Sequence, residues 1–261
     1  MPESAVVVIG AGDATGGAIA KRFAREGYTV CVTRRTEDAL APLVQEIEQA
    51  GGKARPFGCD ARDEDQMIAL FDTIENEVGP VEVVVFNIGA NVFFPIRDTT
   101  ARVYRKVWEM GAFAGFLAGR EAARVMVPRH KGTIIFTGAT ASVRGGKGFS
   151  AFAGAKFALR ALSQSMAREL GPDGPVTVAV NPGSLLATKM VKQGFGVAGN
   201  DIGIGADILS RAALSADFAE ASGLYFDNDS GRFAAPHSAA ADKTKAAAVV
   251  AAIEKRIAEY L

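Results

Sequence analysis

"AVVVIGAGDATGGAIA", residues 5–20, is the stretch whose reading decides the fold. Ala5 to Ile9 form an apolar run rich in β-branched residues, with no polar alternation, as expected of a strand covered on both faces. Gly10, Gly12 and Gly16 follow at once, and the apolar spacing then changes to that of a helix, "GGAIAKRFAREG". Glycines at a strand-to-helix turn allow tight turning and let the backbone approach a pyrophosphate, an anion that the positive end of the following helix also favours. Asp13, Ala14 and Thr15 lie inside this turn and share its candidate anion site.

Outward from this unit the same alternation repeats. "YTVCVTR" reads as a strand, "EDALAPLVQEIEQAGG" as a helix closed by a glycine pair, "KARPFGCD" as a strand and "DEDQMIALFDTIENEVG" as a helix with acids in its first turn. "VEVVVFNIGA" is the fourth strand, followed by a long helical stretch from about 100 to 127, the strand "GTIIFTGA", a helix from about 150 to 170 and the strand "PVTVAVNPG". Regular βα alternation predicts an α/β fold of the doubly wound Rossmann type, a parallel sheet of about seven strands with helices on both faces. Ligands of such sheets bind outside the carboxyl ends of the strands. Residues 190–205, "MVKQGFGVAGNDIGIG", are glycine-rich without a clear period and read either as a mobile loop over the site or as a plain surface loop. Residues 240–261 read as an Ala-rich amphipathic helix.

The 261 residues, 49% of them hydrophobic, suffice for a substantial core, and one domain over 1–261 is expected. Lys plus Arg equals Asp plus Glu at 29 each, so no net field draws the chain to nucleic acid or an anionic membrane. Cys31 and Cys59 fall in strands or strand ends without disulfide or zinc spacing, and no basic segment precedes an apolar run at the N-terminus. A cytoplasmic location is expected. His130 and His237 sit in no ligand-spaced cluster, so no metal is expected.

The second strand ends in "VTRR". An acid there would hydrogen-bond a ribose 2′-OH, whereas Arg34 and Arg35 suit a 2′-phosphate by charge and by their forks of donors, which favours NADP(H) over NAD(H). Asp60, followed by Ala61 in "GCDARDED", is either an adenine-contacting carboxylate or the cap of the next helix.

Taken with "FNIGA" after the fourth strand, "AFAGAK" on a helix and "NPG" after the sixth strand, these motifs resemble the short-chain dehydrogenase/reductase family over almost the whole chain. The resemblance implies that Asn87 and Gly89 support the sheet and the cofactor side. It also implies that Lys156 holds the nicotinamide ribose hydroxyls and that Pro182 and Gly183 form the turn passing the nicotinamide ring. The family's carboxamide-binding threonine matches Thr188 only with a one-residue offset.

The same alignment breaks at the catalytic positions. Family members relay a proton through asparagine, serine, tyrosine and lysine; here Gly111, Ala139 and Phe152 occupy the first three and only Lys156 is retained. None of the three replacements has a side-chain hydrogen bond to give. The turn is altered too, with Ile9 and Ala14 in place of the family's threonine and second glycine. Phe149 stands at the alternative tyrosine position of enoyl reductases, and Thr140, Ser142, Ser150 and Tyr104 read as loop or helix-surface hydroxyls.

Two functions fit this pattern. One is an oxidoreductase of non-standard mechanism, reducing an apolar conjugated substrate, since hydride then goes to carbon. The other is a catalytically silent relative that binds NADP(H) for a structural, sensing or partner-subunit role. Phe93, Phe94, Phe113, Phe116, Phe149, Phe152 and Phe195 offer an apolar lining for a small-molecule substrate. Close-packing alanines on the 150–170 helix, with the family resemblance, imply a homodimer or homotetramer.

Overall fold

The computed structural model describes residues 4–234 apart from residues 90, 190 and 193–195. The elements run β1 (Ala5–Ile9), α1 (Thr15–Arg25), β2 (Thr29–Arg34), α2 (Ala41–Gln49), β3 (Lys53–Gly58), α3 (Glu64–Glu77) and β4 (Val81–Phe86). They continue with α4 (Ala101–Trp108), α5 (Ala114–Met126), β5 (Thr133–Thr137), α6 (Ser150–Leu170), β6 (Val176–Asn181), α7 (Ile202–Leu214), β7 (Tyr225–Asp227) and β8 (Arg232–Phe233).

The strands form one sheet in the order β3-β2-β1-β4-β5-β6-β7-β8. Neighbours pair in parallel from β3 through β7. The eighth strand corrects the expectation of about seven: β8 turns back antiparallel on β7 through Phe226↔Phe233 and Asp227↔Arg232. Two residues after a turn are too few to show a period in sequence.

Helices cover both faces because the strands are apolar on both. One face packs Val7, Ile9, Phe71, Phe86, Leu117, Phe136 and Leu159. The other packs Val6, Val8, Ile19, Phe23, Ile47, Val178 and Leu209. Chain order reverses between β1 and β4, and at such a switch point adjacent crossovers leave to opposite faces and open a crevice at the strand ends.

The long helical stretch after β4 is not one regular helix. Thr100 caps α4 by accepting a hydrogen bond from the Val103 N–H, and a π-helical segment, Glu109–Phe113, joins α4 to α5. The loop expected over 190–205 ends early. Leu186 bridges Asn200, and the Asp201 side chain caps α7 by accepting from the Gly203 N–H. The helix expected over 240–261, with His237 and Phe195, lies outside the described residues.

Candidate active site

The glycine turn is built around close backbone approach. Gly10 has φ +88°, and the Gly10 and Ala11 N–H groups donate to the Thr33 carbonyl at 3.3 and 3.0 Å. A Cβ on Gly16 would lie 2.4 Å from the Gly10 carbonyl oxygen, so this position has no room for a side chain. On Gly12 a Cβ would meet nothing within 4 Å, because that residue faces open space. Ala14, the N-cap of α1, offers no side-chain cap, which leaves first-turn N–H groups for a ligand. Asn87 braces the turn from β4: its N–H donates to the Ile9 carbonyl at 2.8 Å and its side-chain amide to the Gly10 carbonyl at 3.4 Å.

This turn forms one wall of a cleft of about 700 Å³ at the carboxyl ends of β1, β4, β5 and β6. Gly10, Gly12, Asp13, Ala14, Thr15, Gly16, Asn87, Gly89, Ala139, Phe152, Lys156, Pro182, Gly183 and Thr188 all line it. Lys156, only 4% exposed, donates from Nζ to the Thr137 carbonyl at 2.7 Å, and burial pushes its ammonium down to about 8. Thr137 Oγ1, also at the cleft, is buried without a hydrogen-bond partner among the described residues. An orphaned hydroxyl beside a buried ammonium is a site furnished for a polar ligand.

Of the three altered positions, Gly111 is closed in by its neighbours while Ala139 and Phe152 face the cleft. Gly111 is buried in the π segment, where a Cβ would come within 2.9 Å of Ala155 Cβ; it does not line the cleft. Phe152 lies one turn before Lys156 on α6, its ring centroid 5.9 Å from the ammonium nitrogen. Behind Ala139, the Tyr225 hydroxyl donates to the Ala139 carbonyl at 2.8 Å, and burial pushes that phenol up to about 12. Ser142 is buried and accepts from the Ala139 N–H at 3.1 Å, Ser150 Oγ is buried without a partner among the described residues, and Tyr104 packs over Gly154 outside the cleft.

Of the aromatic residues singled out in the sequence, Phe149 and Phe152 line the cleft and Phe93 packs edge-on against Phe149 at 5.3 Å. Phe113 and Phe116 instead stack beside Trp108, away from it.

Arg34 lines a second depression, of about 730 Å³, that runs from Gly12, Asp13 and Ala14 between α1 and α2. Arg35 is exposed next in the chain. Asp60 is not the helix cap: Asp63 caps α3, accepting from the Gln66 N–H at 3.1 Å. Asp60 is held by Arg62, with contacts of 2.9 and 2.6 Å from the guanidinium, and these hydrogen bonds keep its carboxyl below the usual range. Neither Asp60 nor Ala61 reaches the wall of the main cleft.

Two contacts beside the cleft are not legible in the sequence. Lys189 donates to Asp13 at 2.8 Å, tying the segment after β6 to the glycine turn. Asp229, after β7, accepts from the Ser184 N–H and hydroxyl and from the Asn181 amide. The position of Ser184 directly after "NPG" was the one local signal; Asp229 and Lys189 are brought in by tertiary structure.

Among the described residues no group of three or more His, Cys, Asp or Glu is placed to hold a metal, and no helix is long and apolar enough to cross a membrane.

A doubly wound sheet with a glycine turn and a buried lysine at its switch-point cleft defines a nucleotide-binding oxidoreductase architecture. The short chain dehydrogenase family model matches residues 4–195. The chain is 33% identical over 191 residues to the short-chain reductase NovJ of Streptomyces niveus, covering 73% of this chain and 72% of that one. It is 31% identical over 181 residues to zerumbone synthase of Zingiber zerumbet, covering 67% of this chain and 66% of that protein, so it spans about two thirds of that relative's length. A crystal structure of a short-chain dehydrogenase from Rhodopseudomonas palustris superposes with a TM-score of 0.74 at 44% identity, covering 90% of this chain and 99% of that one. The chain belongs to the short-chain dehydrogenase/reductase family of NAD(P)(H)-binding oxidoreductases.

Proposed function

We propose that this chain is an NADP(H)-dependent oxidoreductase that exchanges hydride with a small apolar molecule and works without the serine–tyrosine relay. The observation that carries this reading is the buried Lys156 ammonium, fixed by the Thr137 carbonyl in the same cleft as the glycine turn. Keeping a lysine buried there opposes folding, which is a reason to look for a ligand that uses it.

The residues present fit the nucleotide. Gly10, Gly12, Asp13, Ala14, Thr15 and Gly16 would hold the pyrophosphate, Arg34 and Arg35 a 2′-phosphate, and Asp60 and Ala61 the adenine side. Asn87, Gly89 and Lys156 would hold the nicotinamide ribose side, with Pro182, Gly183 and Thr188 against the ring. The open space at Gly12, which a Cβ would fill, and the uncapped first turn of α1 support that assignment.

The bound nucleotide supplies the hydride chemistry. Lys156 supplies fixed positive charge, Phe149 and Phe152 exclude water, and no tyrosine or serine stands at the Phe152 and Ala139 positions to move a proton. The assembly is a homodimer or homotetramer in the cytoplasm.

The test is turnover of NADP⁺ and NADPH against a panel of secondary alcohols, ketones and enones. Turnover that is lost in Lys156→Met supports the reading. Tight NADPH binding without turnover across the panel assigns the silent, ligand-binding role instead.

A further inference from the structure

The cleft that holds Lys156 also carries a chain of hydroxyls whose direction is set from outside. Asp229 Oδ2 accepts from the Ser184 hydroxyl at 2.5 Å, while its Oδ1 accepts from the Ser184 N–H at 2.7 Å. Ser184 Oγ lies 3.2 Å from Thr140 Oγ1. Both Thr140 and Ser184 line the cleft, Thr140 next to Ala139, and Asp229 is exposed behind them.

A hydroxyl has one proton, and an ionised carboxylate only accepts. Partial burial raises the Asp229 carboxyl, but the hydrogen bonds from Ser184 and Asn181 outweigh it and hold the group below its ordinary range, so it is ionised at neutral pH. Ser184 therefore spends its proton on Asp229 and can only accept from Thr140. Thr140 in turn spends its proton on Ser184, and the lone pairs of its oxygen are left for the cleft.

We propose that Thr140, oriented through Ser184 by Asp229, is a specificity-determining residue that presents a hydrogen-bond acceptor to the substrate, so that the cleft selects a ligand held by a donor, an alcohol rather than its ketone. This rests on the small-molecule reading of the cleft above and names the chemical class that its polar wall prefers. Apolar surroundings sharpen the choice, because a carbonyl oxygen set against this lone pair leaves both acceptors unpaired.

Asp229 and Ser184 act through Thr140 and are positioning residues. In Asp229→Ala the acceptor that takes the Ser184 proton is gone, so the Ser184 hydroxyl is free to donate to Thr140 and neither direction of the chain is imposed from outside.

Two measurements decide. In a neutron structure of the deuterium-exchanged protein, the Thr140 deuteron is expected on the line to Ser184; a deuteron pointing into the cleft overturns the proposal. Methyl NMR titrations at Thr140 use cyclohexanol and cyclohexanone as probes, with thermal melts confirming that each variant is folded. The alcohol is expected to bind at least tenfold more tightly to the wild type. Thr140→Val should lose that preference, and Asp229→Ala should reduce it. Equal binding, a preference for the ketone, or no binding of either probe overturns the assignment. NADPH affinity in the same samples reports separately on the nucleotide reading: its absence sinks that reading, while the deuteron position still judges this one.

Discussion

Replacing Lys156 with methionine is expected to make the protein more stable at neutral pH, and by an amount that shrinks as pH rises. The ammonium is buried and its pKa is lowered from 10.5 to about 8. Below 8 the lysine is charged in both states, and the fold bears the penalty of burying that charge. At 1.4 kcal/mol per unit the difference comes to about 3 kcal/mol at pH 7, against which methionine forfeits the hydrogen bond to Thr137, worth about 1 kcal/mol. The net gain for Lys156→Met is about 2 kcal/mol, or roughly 5 °C in Tm for a chain of this size.

Between 8 and 10.5 the unfolded chain holds the proton that the fold has released, so wild-type stability rises with pH relative to the variant. By about pH 10 less than about 1 kcal/mol of penalty is left, and the two proteins should be equally stable. Paired denaturant titrations of the apo proteins from pH 7 to 10 measure this directly. A variant less stable than wild type at pH 7, or a difference independent of pH, would refute the placement of a charged, desolvated lysine beneath the cleft.

Gly16→Ala forces a Cβ to within 2.4 Å of the Gly10 carbonyl and should destabilise the fold by about 1–3 kcal/mol or more, read by chemical denaturation. Gly12→Ala, whose Cβ meets no protein atom within 4 Å, should leave stability within about 0.5 kcal/mol while weakening NADPH at least tenfold, read by calorimetry. Arg34→Ala with Arg35→Ala should weaken NADPH at least tenfold and NADH by less than twofold, with a shallower salt dependence for NADPH. Lys189→Ala removes an exposed ion pair to Asp13 and should speed nucleotide release in stopped flow without shifting Tm by more than about 1 °C.

The order of strands and helices was legible because the apolar runs separate into strand and helix patterns, and the glycine turn was legible because Gly10 takes a positive φ and Gly16 has no room for a side chain. Lys156 and Phe152 were found together because residues four apart share one helix face. The contacts that the sequence hid lie across the fold. Asp229 reaches Ser184 from 45 positions away, and Lys189 reaches Asp13 from 176. Asp60 left two roles open because Asp60 and Asp63 are both acids ahead of the same helix; geometry chose Asp63 as the cap. The two-residue β8 left no periodicity to read, and its place at the edge comes from pairing with β7.

The measurement that tests the central claim most directly is a calorimetric titration of the purified protein with NADPH and with NADH. The account predicts binding of one nucleotide per chain, at least tenfold tighter for NADPH and abolished in Lys156→Met. A protein that binds neither nucleotide, or binds both unchanged after loss of Lys156, would contradict it.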